Sequence, residues 1–231
     1  MRSTKASNQP RDELGRWTAY KHRQNKRDKL IPVDEGGDMG FGPNSPDFLI
    51  LSAAIVEDPE KWRAVAEHYP WNTFGNHNDM ELKYRSSSHE VRRAVLEEIA
   101  DLEPDIRAVA VNKRRLPKDW EGVEGDKLYL KTVEALMDNV MADIGGKVTV
   151  IYDPHASLGK TKGIKRAEDA AKGYGVELSA AIQDRRSEGE LALQTNDFIP
   201  GAIGDRLNLK RTGNYEIIEP YVNLRKVERK R

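Results

Sequence analysis

Residues 33–41 read VDEGGDMGF. The apolar run LIPV meets two adjacent acids and then paired glycines, and two readings compete for the stretch. In one, Asp34 and Glu35 belong to a hairpin turn, because glycines allow positive φ where a chain reverses and acids tolerate turns. In the other, the acids stand at the mouth of a strand because a site requires them there. LIPV is the only apolar stretch in the first 33 residues, so the fold begins here on either reading.

Working outward, a chain of 231 residues is long enough for one sizeable core. Hydrophobic content of 38% beside 33% charged residues fits a soluble, cytoplasmic protein, and no apolar run approaches the length that crosses a bilayer. The N-terminus has no apolar segment of the secretory kind. Without cysteine there is no disulfide framework, thiolate nucleophile or thiolate metal site. A metal would sit on carboxylates, imidazoles or carbonyls, which favours hard cations such as Mg²⁺ or Mn²⁺. The net charge of zero conceals a segregation. Residues 1–30 carry nine basic against three acidic side chains, and Lys210–Arg231 seven against three, so the middle is acidic between basic ends. That pattern suits an acidic centre whose anionic ligand is held by peripheral cations.

The expected architecture is α/β, a mixed central sheet of about five strands flanked by helices. LIPVD is the first strand, and DFLILSAAIV (47–56) is apolar enough to be buried on both faces. EDPEKWRAVAEHY reads as a helix capped by Asp58 with Pro59 at its first position. Ser87 and Glu90 make a capping box for a helix running to Leu102. DIRAVAVNK is a strand, KRRLPKDWEGVEGDK a charged lid or excursion, and Leu128–Met141 a helix. KVTVIYD and VELSAAIQD supply the fourth and fifth strands, with a helix over 161–173 between them and a last apolar helix over Leu191–Leu209, and the tail YEIIEPYVNLRK is either a short strand or an extended segment laid across the body. Residues 1–28 are expected to form a flexible basic arm, 29–222 the folded domain and 223–231 a basic tail. Neither a dinucleotide fingerprint nor a Walker sequence is present, since the glycines of EGGDMGFG precede a strand.

Three further acids stand out. Glu81 lies in DMELKYRS beside Lys83, just before a helix. Asp153 closes VTVIYD, the carboxyl end of a central strand, where α/β proteins place their sites, and His155 follows it. Asp197 sits in LALQTNDFIPGAIGDRL amid apolar residues at helical spacing. Each alone has an ordinary structural explanation: a capped loop, a backbone hydrogen bond, a pair with Lys83 or Arg85. Together they point to one cleft, in which gathered carboxylates repel unless a cation compensates.

The series VDEGGDMGF, ELKYRS, VIYDPH and LQTNDFIPGAI resembles the DUF3800 family, a group of prokaryotic and mobile-element proteins that looks like a branch of the ribonuclease H-like fold. The resemblance spans about residues 30–222. It implies a site on Asp34 and Glu35, Glu81 and Lys83, Asp153, and Leu193, Gln194 and Asp197. Many relatives carry serine where this chain has Gly36. It also implies that the first strand is central and that its acid meets the acid of the fourth strand and one from a late helix. If Asp34, Glu81, Asp153 and Asp197 converge, they would hold Mg²⁺ or Mn²⁺ and hydrolyse phosphodiester bonds of DNA or RNA. Lys83 would face the charge developing on phosphorus, and His155 would position or transfer a proton. Glu35 is a lesser metal ligand, because alternation points it to the opposite face if the strand continues. Nucleic acid is the expected partner, with Lys160, Lys162, Lys165 and Arg166 as a cationic flank; no membrane is expected. Two alternatives keep the fold: a non-catalytic nucleic-acid or protein-binding module, and a hydrolase of another phosphate substrate.

Overall fold

A computed structural model describes residues 29–69, 81–144, 147–152, 158–174, 177–178 and 191–229. Strand β1 (Lys29–Gly36) and β2 (Phe48–Ile55) form an antiparallel hairpin. Helices α1 (Pro59–Glu67) and α2 (His89–Asp101) precede β3 (Asp105–Asn112). Then come α3 (Gly125–Met141), β4 (Lys147–Tyr152), α4 (Leu158–Gly173) and β5 (Glu177–Leu178). The chain closes with α5 (Leu191–Leu209), α6 (Gly213–Ile218) and β6 (Val222–Val227).

Among the described residues these strands make one mixed sheet in the order β5-β4-β1-β2-β3-β6. β2 runs antiparallel to β1 and β3, whereas β4 lies parallel to β1 and β6 parallel to β3. The carboxyl ends of β1, β3, β4 and β6 therefore share one edge. Alternation distributes β1, β2 and β3 between two cores. Leu30, Ile50, Ala54, Ile106 and Ala108 face a layer built from α1, α2, α5 and α6. Ile31, Val33, Leu49, Leu51, Val109 and Val111 face α3 and α4. Cover on both sides explains the unbroken apolar run of β2. Each fully buried Leu or Ile contributes about 1.5–3 kcal/mol.

Several expectations meet a different outcome. The acids of VDEGG lie in the strand, paired across it as Asp34↔Ser52 and Glu35↔Leu51, and the reversal starts only at Gly37, whose φ is +87°. Helix α2 is capped by Ser88, which accepts from Val91 N–H, and not by Ser87. Ser87 is spent elsewhere: its hydroxyl donates to the Lys83 carbonyl at 2.6 Å and closes the preceding turn. Of VELSAAIQD only Glu177–Leu178 is a described strand, and 179–190 lie outside the described residues. Val222–Val227 forms a sixth strand beyond the five expected, so the sheet runs through the boundary placed after residue 222. KRRLPKDWEGVEGDK is an excursion tied to the C-terminal strand's end: Arg229 N–H donates to the Arg115 carbonyl and Arg115 Nη2 to the Arg229 carbonyl, both at 2.8 Å. The arm, residues 1–28, lies outside the described residues.

Candidate functional site

Helix α5 organises the site. It is apolar on most of its circumference and packs across β1 and β2. Along one stripe, spaced three or four residues apart, stand Gln194, Asp197, Gly201 and Asp205. The segment Glu81–Ser88 is laid along that stripe. Leu82 N–H donates to Gln194 Oε1 at 3.2 Å, Tyr84 N–H to Asp197 Oδ2 at 2.6 Å, and Tyr84 O–H to Asp205 Oδ2 at 2.6 Å. The Tyr84 ring lies against the bare Cα of Gly201, where a Cβ would stand 2.4 Å from the ring. Asn214 donates to the Tyr84 hydroxyl at 2.8 Å, Phe198 meets its ring edge-on at 5.6 Å, and the Arg92 guanidinium caps it at 4.5 Å. Burial, then the hydrogen bond to Asp205, push the Tyr84 hydroxyl well above its usual range.

This clamp brings Glu81 and Lys83 to Asp197. The Lys83 ammonium pairs with Glu81 at 2.9 Å, the Glu81 side chain being 9% exposed and that of Lys83 43%. Asp34 enters from β1 on the α5 side of the sheet, buried, with its Oδ1 accepting from Glu35 N–H at 2.8 Å. Its carboxyl lies near enough to that of Asp197 to hold down part of its pKa. Burial raises the Asp197 pKa most; the Tyr84 N–H opposes the rise, the Glu81 charge adds to it, and Lys83 and Asp34 offset part, leaving it at about 6. The structure thus gathers Asp34, Glu81, Lys83 and Asp197 from three distant parts of the chain.

The other expected residues are placed differently. Glu35 follows the strand's alternation onto the α3 side, away from Asp197. Asp153 and His155 lie outside the described residues; β4 ends at Tyr152, whose Cα pairs with that of Val33, one residue short of Asp34. Helix α4 carries Lys160, Lys162, Lys165 and Arg166, and the Lys165 side chain is exposed. Gly36 passes so close to α5 that a Cβ would lie 2.8 Å from the Pro200 carbonyl, which accounts for glycine where the resemblance brings serine.

The set of donors is all oxygen, which suits Mg²⁺ or Mn²⁺. Beside it stand two fully buried oxygens without a hydrogen-bond partner among the described residues. They are Ser52 Oγ on Asp34's cross-strand neighbour and Asn196 Oδ1 next to Asp197. Among the described residues, however, no three carboxylates or imidazoles close on a common point as a metal cage does. Open clefts lie elsewhere, one of about 440 Å³ beside Arg115 and Arg229 and one of about 430 Å³ beside Glu57 and Asp101.

Tyr84, Asp205, Asn214, Ser52 and Asn196 were not singled out for the site from the sequence. The Gln194, Asp197, Gly201, Asp205 spacing was a usable signal, since a polar stripe on an otherwise apolar helix must face a partner. No protein-family model matches the chain, and no curated protein matches it.

Proposed function

We propose that the chain is a divalent-metal-dependent phosphodiester hydrolase acting on DNA or RNA in the cytoplasm, of ribonuclease H-like fold and DUF3800 type. The observation that carries this reading is that Asp34 and Glu81, from a central strand and a loop, both lie near Asp197 of a late helix, with Lys83 paired to Glu81. The central place of β1 and its parallel pairing with β4 support the fold assignment.

Asp34, Glu81, Asp153 and Asp197 would hold Mg²⁺ or Mn²⁺, which when bound supplies an activated water and stabilises the leaving 3′ oxygen. The chain's own contributions are separable from that chemistry. Tyr84 N–H keeps Asp197 aimed by donating to one of its oxygens. Lys83, held by Glu81 yet partly exposed, presents a cation to the phosphoryl oxygens. His155 would position or transfer a proton.

The test is a cleavage panel of single-stranded and duplex DNA, RNA and hybrid with each metal and with EDTA, run beside calorimetric metal titration. Metal-dependent cleavage lost in Asp34→Asn and Asp153→Asn, both still folded, is the expected result. Failure of folded protein to bind either ion at millimolar concentration, with or without nucleic acid, would overturn it.

A further inference from the structure

We propose that Arg85 is a phosphate-contacting residue of this site, held ready by the Tyr84 clamp; the proposal rests on nucleic acid being the substrate and names one residue that binds it. The sequence left Glu81 a choice between Lys83 and Arg85, and the structure gives it Lys83. Arg85 is exposed, and among the described residues its guanidinium has no carboxylate or other partner. The cations around it are treated otherwise. Arg92 lies at 4.0 Å from Asp205 and over the Tyr84 ring, Arg93 pairs with Glu97 at 2.9 Å, and Arg206 with Glu219 at 2.6 Å.

The backbone that carries Arg85 is fixed from both sides. Tyr84, one residue earlier, is bonded through its N–H to Asp197 and through its hydroxyl to Asp205. Arg85's own carbonyl accepts from Arg92 Nη2 at 2.9 Å, and Ser87 closes the turn onto the Lys83 carbonyl. Adjacent Cα atoms are about 3.8 Å apart, so Arg85 stands one step from the residue that touches a site carboxylate. A long cation with a rigid base, no internal partner and a place on the rim of an acidic site is arranged to take an anionic oxygen. An acid-lined site particularly needs one, because a phosphodiester approaching Asp34, Glu81 and Asp197 is otherwise repelled. The guanidinium fork matches two phosphate oxygens.

The experiment measures binding apart from cleavage. Full-length protein in EDTA is titrated with a labelled single-stranded 20-mer over a series of salt concentrations, as parent, Arg85→Gln, Arg85→Lys and Arg93→Gln. Loss of one phosphate contact should lower the slope of log affinity against log salt by about 0.7 in Arg85→Gln. It should also weaken binding several-fold at low salt. Arg85→Lys should restore the slope, and Arg93→Gln, which removes an equal charge already paired with Glu97, should leave it as in the parent. Equal slopes for parent and Arg85→Gln, or equal losses in Arg85→Gln and Arg93→Gln, would overturn the assignment while leaving the hydrolase reading intact. A parent chain that binds no oligonucleotide at low salt yet binds metal would overturn the nucleic-acid substrate itself, and Arg85's role with it.

Discussion

Two charged clusters sit on the same edge of the sheet, at the ends of β3 and β1, and they are built on opposite principles. At the end of β3, Lys113 is buried with its side chain 1% exposed, and its ammonium meets three acceptors: Asp38 Oδ1 at 2.8 Å, the Asp38 carbonyl at 2.9 Å and the Gly40 carbonyl at 2.5 Å. Three donors have three acceptors, and nothing is left over. Arg114 beside it pairs with Asp47 and binds the carbonyls of Phe41, Gly42 and Ser45, so the hairpin loop is pinned throughout. Burial would raise Asp38, but the Lys113 and Gly40 hydrogen bonds and the Lys113 charge hold its carboxyl below the usual range. At the end of β1 Lys83 pairs with Glu81 at 2.9 Å, Asp34 and Glu81 lie near Asp197, and Asp197 is pushed up to about 6. A cluster that only stabilises is closed and charge-balanced. Among the described residues the acid cluster has three carboxyls to one ammonium, and that excess of acid is what recommends it as a place for a cation or a reacting phosphate.

The sharpest way to break this contrast is through Lys113. Lys113→Met keeps the volume and removes three charge-assisted hydrogen bonds from a buried position, a loss of about 3 kcal/mol. In a chain of this size that lowers Tm by roughly 6–12 °C. Metal affinity, measured where both proteins are folded, should change less than about twofold. A loss of metal binding as deep as the loss of stability would show that the two clusters are one unit.

Asp197→Asn should act in the reverse sense. The folded-state pKa is raised from 3.8 to about 6, so the stability tied to this group is full below pH 4 and is lost as pH rises through 6. Its size is at most about 3 kcal/mol. In EDTA the variant, measured against the parent by denaturant unfolding, should gain stability between pH 4 and 6 and keep that gain at pH 7–8, while metal affinity falls. A difference between variant and parent that stays flat over this range would mean that the acids are already compensated like Asp38.

The contrast also marks what the sequence could tell. The strand place of Asp34 was legible because VDEGG ends an apolar run in carboxylates, whereas Asp153, which closes VTVIYD, lies outside the described residues. Helix α5 was legible to its ends, Leu191 and Leu209, because nineteen residues of helix are read from composition and length. The clamp was not, since Tyr84 and Asp205 stand 121 positions apart and neither is unusual in its own neighbourhood. Ser88 displaced Ser87 as cap for the same reason, Ser87 being committed to a turn that Tyr84's docking creates. Strand β6 was legible only as one of two readings of YEIIEPYVNLRK, because Arg225 and Lys226 are exposed charges of the kind that protect an outer strand and they mask the alternation of Val222 and Leu224.

The smallest expected effect tests the contrast within a single strand. Asp34 and Glu35 are neighbours in sequence with the same charge, and the turn reading treated them alike. In the structure β1 continues to Gly36, so their side chains leave by opposite faces, Asp34 toward α5 and Glu35 toward α3. Glu35→Gln removes a charge from a half-buried side chain on the face away from Asp197, and should alter stability by no more than about 0.5 kcal/mol. Metal affinity should stay within about twofold of the parent, whereas Asp34→Asn lowers it at least tenfold by the loss of one anionic ligand. Calorimetric titration of the two variants side by side decides the point. Equal losses would place both carboxylates on the ion, which alternation forbids, and would mean that β1 ends before Glu35 in the loaded protein.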